Sequence, residues 1–326
     1  MSFNQSVLLP VSPDEAFALV TEPERIRRWL AVSAYIDLRA GGDFRWTVAT
    51  GNHAAGTVRE VEPGRRLVLA FGWDEDEALP PGSSTVTIVI EPAPDGSQVT
   101  LTHKGLNEEQ TKQHTEGWEH YLERLQKVAT AGEAGPDEFA RVPQDLNPVT
   151  ATESVLSAVQ PVLRLLGPED RPKPTPCEDF DANDLFHHLM GSLVQLGALA
   201  GGTVVPTERG TVEDQISLTA GQAIDAWRVV DLDGTLPGPD GGEVPASDLA
   251  GLLPVELALH GWDFAQTCGV ELDISDEVVA YLRTLAQGID PVGRENGSYK
   301  PAVTAPEGAS AIDKLAAFAG RTPLHD

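Results

Sequence analysis

The stretch AYIDLRAGGDFRWTV, residues 34–48, is where the hydrophobic spacing of this chain changes from helical to alternating. Upstream, SPDEAFALVTEPERIRRWL (12–30) places Ala16, Phe17, Leu19 and Val20 on one helical stripe. Ser12 is a natural N-cap there, with Pro13 at the first helical position and Glu15 three residues after the cap. From about Tyr35 onward the period is two, through HAAGTVREVEPG (53–64), RRLVLAFGW (65–73) and STVTIVIEPAPDGSQVTLTHKGL (84–106). GG, EPGR and APDGS punctuate these runs as turns, which predicts an antiparallel meander. NEEQTKQHTEGWEHYLERLQKVA (107–129) then returns to helical spacing, with Trp118, Tyr121, Leu122 and Leu125 on one stripe. The expectation for residues 1–130 is an α+β domain whose twisted sheet wraps a long C-terminal helix.

The chain has 326 residues, enough for two domains, and 41% of them are hydrophobic, ample for globular cores. No apolar run reaches the length of a membrane span, and the N-terminus lacks the basic start and apolar stretch of a signal peptide. Cys177 and Cys268 are far apart and form no CxxC, so a disulfide framework and a cysteine zinc cluster are both disfavoured. The formal charge is −27, with −10 in residues 1–140 and −17 in residues 141–326. Neither half is basic, so a phosphate backbone or an anionic membrane would be repelled. A cytoplasmic protein binding neither nucleic acid nor membrane is expected. DEDE at 74–77, the densest acidic cluster, reads as a solvated loop.

TEPERIRRWL (21–30), AGGDFRW (40–46), GTVREVEPGRRLVLAFGW (56–73) and HTEGWEHYLERL (114–125) together resemble the START-like, polyketide-cyclase-like helix-grip superfamily (SRPBCC), in particular its branch named for activators of the heat-shock chaperone ATPase. The resemblance covers nearly all of residues 1–130. It implies an apolar cavity between helix and sheet and a small hydrophobic or aromatic ligand, with no reliably catalytic residue. The separate chaperone-binding domain of the eukaryotic cochaperones is not found, so a chaperone role is not expected. Whether side chains fill the cavity is left open by the sequence. His103, His114 and His120 fit no ligand spacing and are assigned surface or cavity-lining roles.

AGEAGPDEFARVPQDLN (131–147) has no sustained period and reads as an exposed linker. Beyond it no sheet is expected. Helices are predicted at about 149–167, 182–200, 214–230, 249–268 and 275–288, with a short one at 309–319. Asp181 caps the second, and Gly167, Gly201 and Gly269 are placed as left-handed C-caps. Four main helices with polar loops make residues 148–326 an antiparallel four-helix bundle.

One of these helices, PVELALHGWDFA (254–265), sets Glu256 and His260 four residues apart on one face of an otherwise apolar run. A carboxylate there must be paired or bound to a cation. Glu-x3-His alone is weak evidence and reads first as a buried hydrogen bond or a partly exposed face. In DANDLFHHLMGSL (181–193), His188 shares the face of Leu185, Leu189 and Ser192, whereas His187 points about 100° away. His188 by itself is readily explained as a hydrogen-bonded core histidine. Brought beside Glu256 and His260 it completes a set of two imidazoles and one carboxylate, which suits Zn²⁺ and would also accept Ni²⁺ or Fe²⁺.

TPCEDFDANDLFHHLMGSL (175–193), ELALHGWDFAQTCG (256–269) and PEGASAIDKLAAFAGRTP (306–323) resemble the DinB-like metal-binding bundles of the mycothiol-dependent maleylpyruvate isomerase group. The resemblance spans about 149–326. It implies a divalent metal held by one histidine of the second helix and by an acid and a histidine, four apart, of the fourth; those positions are His188, Glu256 and His260. It also implies a low-molecular-weight thiol such as mycothiol as cosubstrate. Asp263 is a candidate outer partner of a ligand histidine, or a surface Asp. Arg321 is a candidate contact for an anionic substrate or thiol, or an anchor of the C-terminal segment. Cys177 is read as structural. Two functions are carried forward: a metal-dependent thiol-transferase or isomerase acting on an electrophilic small molecule, and a non-catalytic ligand-binding or stress-response protein with a structural or regulatory metal. An open coordination position marks the first and a fourth protein ligand the second.

Overall fold

The computed structural model describes residues 2–177, 179–238, 241–295 and 297–324. The chain divides into two compact units, Met1–Asp137 and Glu138–Asp326.

The first unit is a seven-stranded antiparallel sheet with a long helix. Its strands are β1 (Ser2–Leu9), β2 (Ser33–Ile36), β3 (Asp43–Ala49), β4 (Asn52–Glu62), β5 (Arg66–Trp73), β6 (Ser84–Ala93) and β7 (Gly96–Lys104), in spatial order β1-β7-β6-β5-β4-β3-β2. β2 to β7 form the expected meander. β1 was not anticipated; it pairs with β7 from Ser2↔Lys104 to Leu9↔Ser97 and puts Phe3, Val7 and Leu9 into the core. The first helical stretch is split into α1 (Pro13–Thr21) and α2 (Pro23–Ile26). Glu22 between them is extended (φ −86°, ψ 126°), because the residue before a proline is pushed out of the α region.

The closing helix α3 (Glu108–Ala131) starts on a capping box between Asn107 and Gln110 and stops at Gly132 (φ 85°). Its stripe of Trp118, Tyr121, Leu122, Leu125 and Val128 joins Phe44, Leu67, Leu69, Phe71, Ile88 and Leu101 of the sheet in one buried cluster. Each such side chain contributes about 1.5–3 kcal/mol of burial, so the stripe, not helix propensity, holds α3 on the sheet.

Residues 131–147 are less free than an exposed linker. Arg124 donates to the carbonyls of Gly135 and Pro136, and His120 meets Asp137 at 3.0 Å. A short helix, α4 (Glu138–Arg141), follows, with Ala140 buried and Arg141 in a two-point pair with Asp273 at 2.7 Å. Polar composition hid these anchors, whose partners are remote in sequence.

The second unit is helical: α5 (Pro148–Leu163), α6 (Ala182–Leu199), α7 (Val212–Arg228), α8 (Ala246–Ala250), α9 (Leu252–Cys268), α10 (Asp276–Glu295) and α11 (Ala311–Phe318). A small hairpin, β8 (Thr235–Pro237) with β9 (Glu243–Pro245), corrects the expectation of no strands here. Gly201 and Gly269 take the left-handed conformation expected of C-caps, but Gly167 does not: its φ is −96° and it leads into a 3-10 turn, α5 having ended at Leu163. α10 runs past its expected end, with Pro291 inside the helix.

α9 packs against α5, α6, α8, α10 and α11, which explains a sequence apolar on nearly every side. Gly261 permits a close approach to α5: a Cβ there would lie 2.4 Å from a Val159 methyl. Asp181 caps α6 by accepting from the Asp184 amide at 2.8 Å. α9 and α6 are thus fixed helices, and both carry candidate ligands.

Candidate metal centre

α6 presents His188 and α9 presents Glu256 and His260 to one another. One ligand atom from each of the three lies within 4.8 Å of the others. His260 Nε2 is 3.2 Å and His188 Nε2 3.4 Å from the same oxygen, Glu256 Oε1. The Ser192 hydroxyl, one turn beyond His188, donates to the same carboxylate. The set is graded in exposure: the side chain of His188 is 42% accessible, that of Glu256 27% and that of His260 5%. One side of the cluster therefore faces outward while the other is set into the bundle.

The inward side is a chain of charges. His260 Nδ1 is 3.0 Å from Asp263 Oδ2, and Arg321 Nε lies 3.1 Å from both Asp263 oxygens. Asp263 is fully buried and Arg321 nearly so. Burial works against the Asp263 charge, yet Arg321 and His260 hold its carboxyl below the usual range. Burial also opposes a charge on His260, but the Glu256 carboxylate, with Asp263 and Cys177, raises its pKa well above the ordinary histidine value. Glu256 is held well below the ordinary carboxylate range against its own desolvation, chiefly by His260 and His188.

These contacts define what the cluster can hold. Asp263 on the Nδ1 side orients the His260 ring and turns Nε2 toward Glu256, as carboxylate partners of ligand histidines do. Two imidazole nitrogens beside one carboxylate oxygen can be joined to it by N–H protons or by a metal ion. Two nitrogens and one oxygen fit Zn²⁺, Ni²⁺ or Fe²⁺. Among the described residues no fourth His, Cys, Asp or Glu joins this set.

The expected residues divide as follows. His188, Glu256 and His260 come together. His187 does not; its ring packs edge-on against Phe186, 5.1 Å between centroids. Asp263 is no surface residue, and Arg321 is committed to it rather than free to meet an anion. Cys177, read as structural, donates its thiol to Asp263 Oδ2 at 3.3 Å and also contacts His260. Ser192 and Tyr299 were missed as functional candidates. Burial pushes the Tyr299 phenol up to about 12, within electrostatic reach of Arg321 and Glu256. Ser192 lay on the His188 face and could have been found; Tyr299 carries no local signal.

The first-unit histidines are also placed. His103 is fully buried, held by Trp118 and Ser84, which rules out a surface role for it. His114 accepts from Trp73 Nε1 at 3.1 Å.

Comparison with known proteins defines the class of the first unit. Residues 10–130 match the family described as Activator of Hsp90 ATPase homolog 1-like protein. The first unit is therefore an AHSA1-like domain of the START-like helix-grip kind, which its seven-stranded antiparallel sheet and long helix fit. The chain is 38% identical to an AHSA1-like protein of Rhizobium etli solved in solution, covering 45% of this chain and 92% of that one at a TM-score of 0.35. It is 28% identical to CalU16 of Micromonospora echinospora, covering 40% and 76% at a TM-score of 0.32. The uncharacterized protein Rv0738 of Mycobacterium tuberculosis is 27% identical over 184 residues, 54% of this chain and 99% of the relative. A match of that length is longer than the first unit, so at least part of it lies in the helical one. Among the described residues no helix is long and apolar enough to cross a membrane.

Proposed function

We propose that the chain is a two-domain metal protein: a DinB-type bundle in which His188, Glu256 and His260 hold a divalent ion, Zn²⁺ in the first instance, preceded by an AHSA1-like domain that binds a small hydrophobic or aromatic molecule. The activity we assign is that of a metal-dependent thiol-transferase or isomerase acting on an electrophilic small molecule, with a low-molecular-weight thiol such as mycothiol as cosubstrate. The observation that carries this reading is the convergence of three donor atoms within 4.8 Å on a cluster whose His188 side is open. A structural metal is closed by protein ligands, whereas a site with three protein donors and an accessible side retains exchangeable positions.

When bound, a divalent ion of this kind lowers the pKa of a coordinated water or thiol and polarises a carbonyl. The chain's own groups have separate tasks. Asp263 fixes the His260 ring, and Arg321 balances the Asp263 charge so that both stay buried. Ser192 orients the Glu256 carboxylate. Tyr299 keeps its proton at neutral pH and supplies a neutral phenol near the centre. For the first domain, the likeness to AHSA1-like proteins is what supports a small apolar ligand.

The test is thiol consumption. Zn²⁺-loaded full-length protein is incubated with a low-molecular-weight thiol and a panel of conjugated carbonyl electrophiles. We expect metal-dependent loss of thiol or isomerisation of the electrophile, abolished in Glu256→Gln. Equal turnover by wild type and Glu256→Gln, or none across the panel, counts against the reading.

A further inference from the structure

His260 faces two donor sets. Its Nε2 side looks to Glu256 and His188, and its Nδ1 side looks to Asp263 and Cys177. The second set meets the same geometric condition as the first: one ligand atom each from Cys177, His260 and Asp263 lies within 4.8 Å of the others. Thiol, imidazole and carboxylate is a donor combination of high zinc affinity. It differs from the first set in having a cation beside it already. Arg321 Nε lies 3.1 Å from both Asp263 oxygens, and its Nη2 is 3.9 Å from Cys177 Sγ, so one guanidinium touches two of the three donor residues. The backbone amide of Arg321 bonds to the Ala316 carbonyl at 3.0 Å, which ties the side chain's origin to the end of α11.

We propose that Cys177, His260 and Asp263 form a second, latent divalent-metal site that the Arg321 guanidinium holds shut, so that the centre is mononuclear by construction. With arginine present, the guanidinium faces the Asp263 carboxylate and the Cys177 thiol donates to that same group. A divalent ion in place of the guanidinium also takes the place of two protons, those on His260 Nδ1 and Cys177 Sγ, and both are released to solvent. With the first set filled as well, His260 bridges the two ions through its two ring nitrogens. The inference shares His260 with the proposed catalytic metal but stands on different donor atoms, so the two can fail separately.

The experiment uses full-length chain and Co²⁺ alone as probe, read by stoichiometry and by the thiolate-to-cobalt charge-transfer band. Arg321→Met keeps the length of the side chain and removes its charge and donors. Wild type is expected to bind Co²⁺ without the band. Arg321→Met is expected to bind one equivalent more and to show the band, which Arg321→Met/Cys177→Ser loses. A wild-type protein that binds nothing, with a variant that binds one equivalent and shows the band, supports the latent site while removing the proposed catalytic one. Unchanged stoichiometry in Arg321→Met with no band overturns the latent site and leaves the first set untouched. A band already present in wild type, or one that survives Cys177→Ser, also overturns it. Should Arg321→Met fold poorly without metal, Zn²⁺ is expected to restore its circular dichroism and raise its midpoint more than that of wild type. A variant that stays unfolded in Zn²⁺ contradicts the proposal.

Discussion

Each unit contains a pair of histidines packed edge to face, and the two pairs have nearly the same ring geometry. His103 and His114 lie 4.8 Å apart between centroids at 84°; His188 and His260 lie 5.0 Å apart at 84°. Their surroundings are opposite. Trp118 Nε1 donates to His103 Nδ1 at 3.1 Å, which leaves Nε2 to donate to Ser84 Oγ at 2.8 Å. Trp73 Nε1 donates to His114 Nε2, whose Nδ1 donates to the Gln110 carbonyl at 2.8 Å. Every ring nitrogen of the first pair is thus satisfied by a neutral partner. Burial, helped by His114, pushes the His103 pKa down to about 3. In the second pair the nitrogens face carboxylates, and His260 is pushed the other way. Indole neighbours make a neutral core; carboxylate neighbours make a cation site. The stacking of the rings decides neither.

The largest expected effect sharpens this contrast on the charged side. Asp263→Ala leaves Arg321 buried without its partner and frees the His260 ring, costing about 3–5 kcal/mol of stability. Urea unfolding of the chelator-treated full chain measures it; a loss under 1 kcal/mol would show that the buried charges are not coupled. On the neutral side, Trp118→Phe keeps most of the ring packing and strands the His103 Nδ1 acceptor. It should cost about 1–3 kcal/mol by the same assay.

The two sides also differ in pH response. The folded pKa of His103 lies near 3, below the unfolded value of 6.5, so between these limits the unfolded chain binds the extra proton. Its contribution is complete above about pH 6.5 and is lost as pH falls toward 3, by at most about 1.4 kcal/mol per pH unit. Denaturation midpoints of wild type and His103→Gln at pH 7 and pH 5 test this: the wild type should lose more on acidification. An equal drop in both would assign the acid sensitivity elsewhere. The smallest effect is His187→Ala, which should leave stability within about 0.5 kcal/mol and metal affinity unchanged. His188→Ala should weaken affinity by more than the ~10–100-fold that outer partners cost.

Much of this contrast was legible in the sequence, unevenly. Period-two spacing from Tyr35 announced the meander, and the stripe through Trp118 and Leu125 announced α3. The i, i+4 spacing of Glu256 and His260, and the shared face of His188 and Ser192, are local geometry that a helix fixes. What escaped depends on distance along the chain. β1 needs β7, about 95 residues away, to become a strand. Cys177 and Arg321 lie 86 and 58 residues from Asp263, so nothing nearby marks one as its neighbour and the other as its counter-charge. The neutrality of His103 depends on an indole supplied by another element. Gly167 was misplaced because a glycine near a helix end signals a cap even where the helix has already stopped.

The most direct measurement is the divalent-metal content of untagged full-length protein after incubation with Zn²⁺, compared with Glu256→Gln, His188→Ala and the double variant His103→Gln/His114→Gln. The account predicts about one ion per chain in wild type, retained when the first pair is removed and lost when Glu256 or His188 is changed. A wild-type protein that takes up none of Zn²⁺, Ni²⁺ or Fe²⁺, or a Glu256→Gln variant that binds as tightly as wild type, would contradict it.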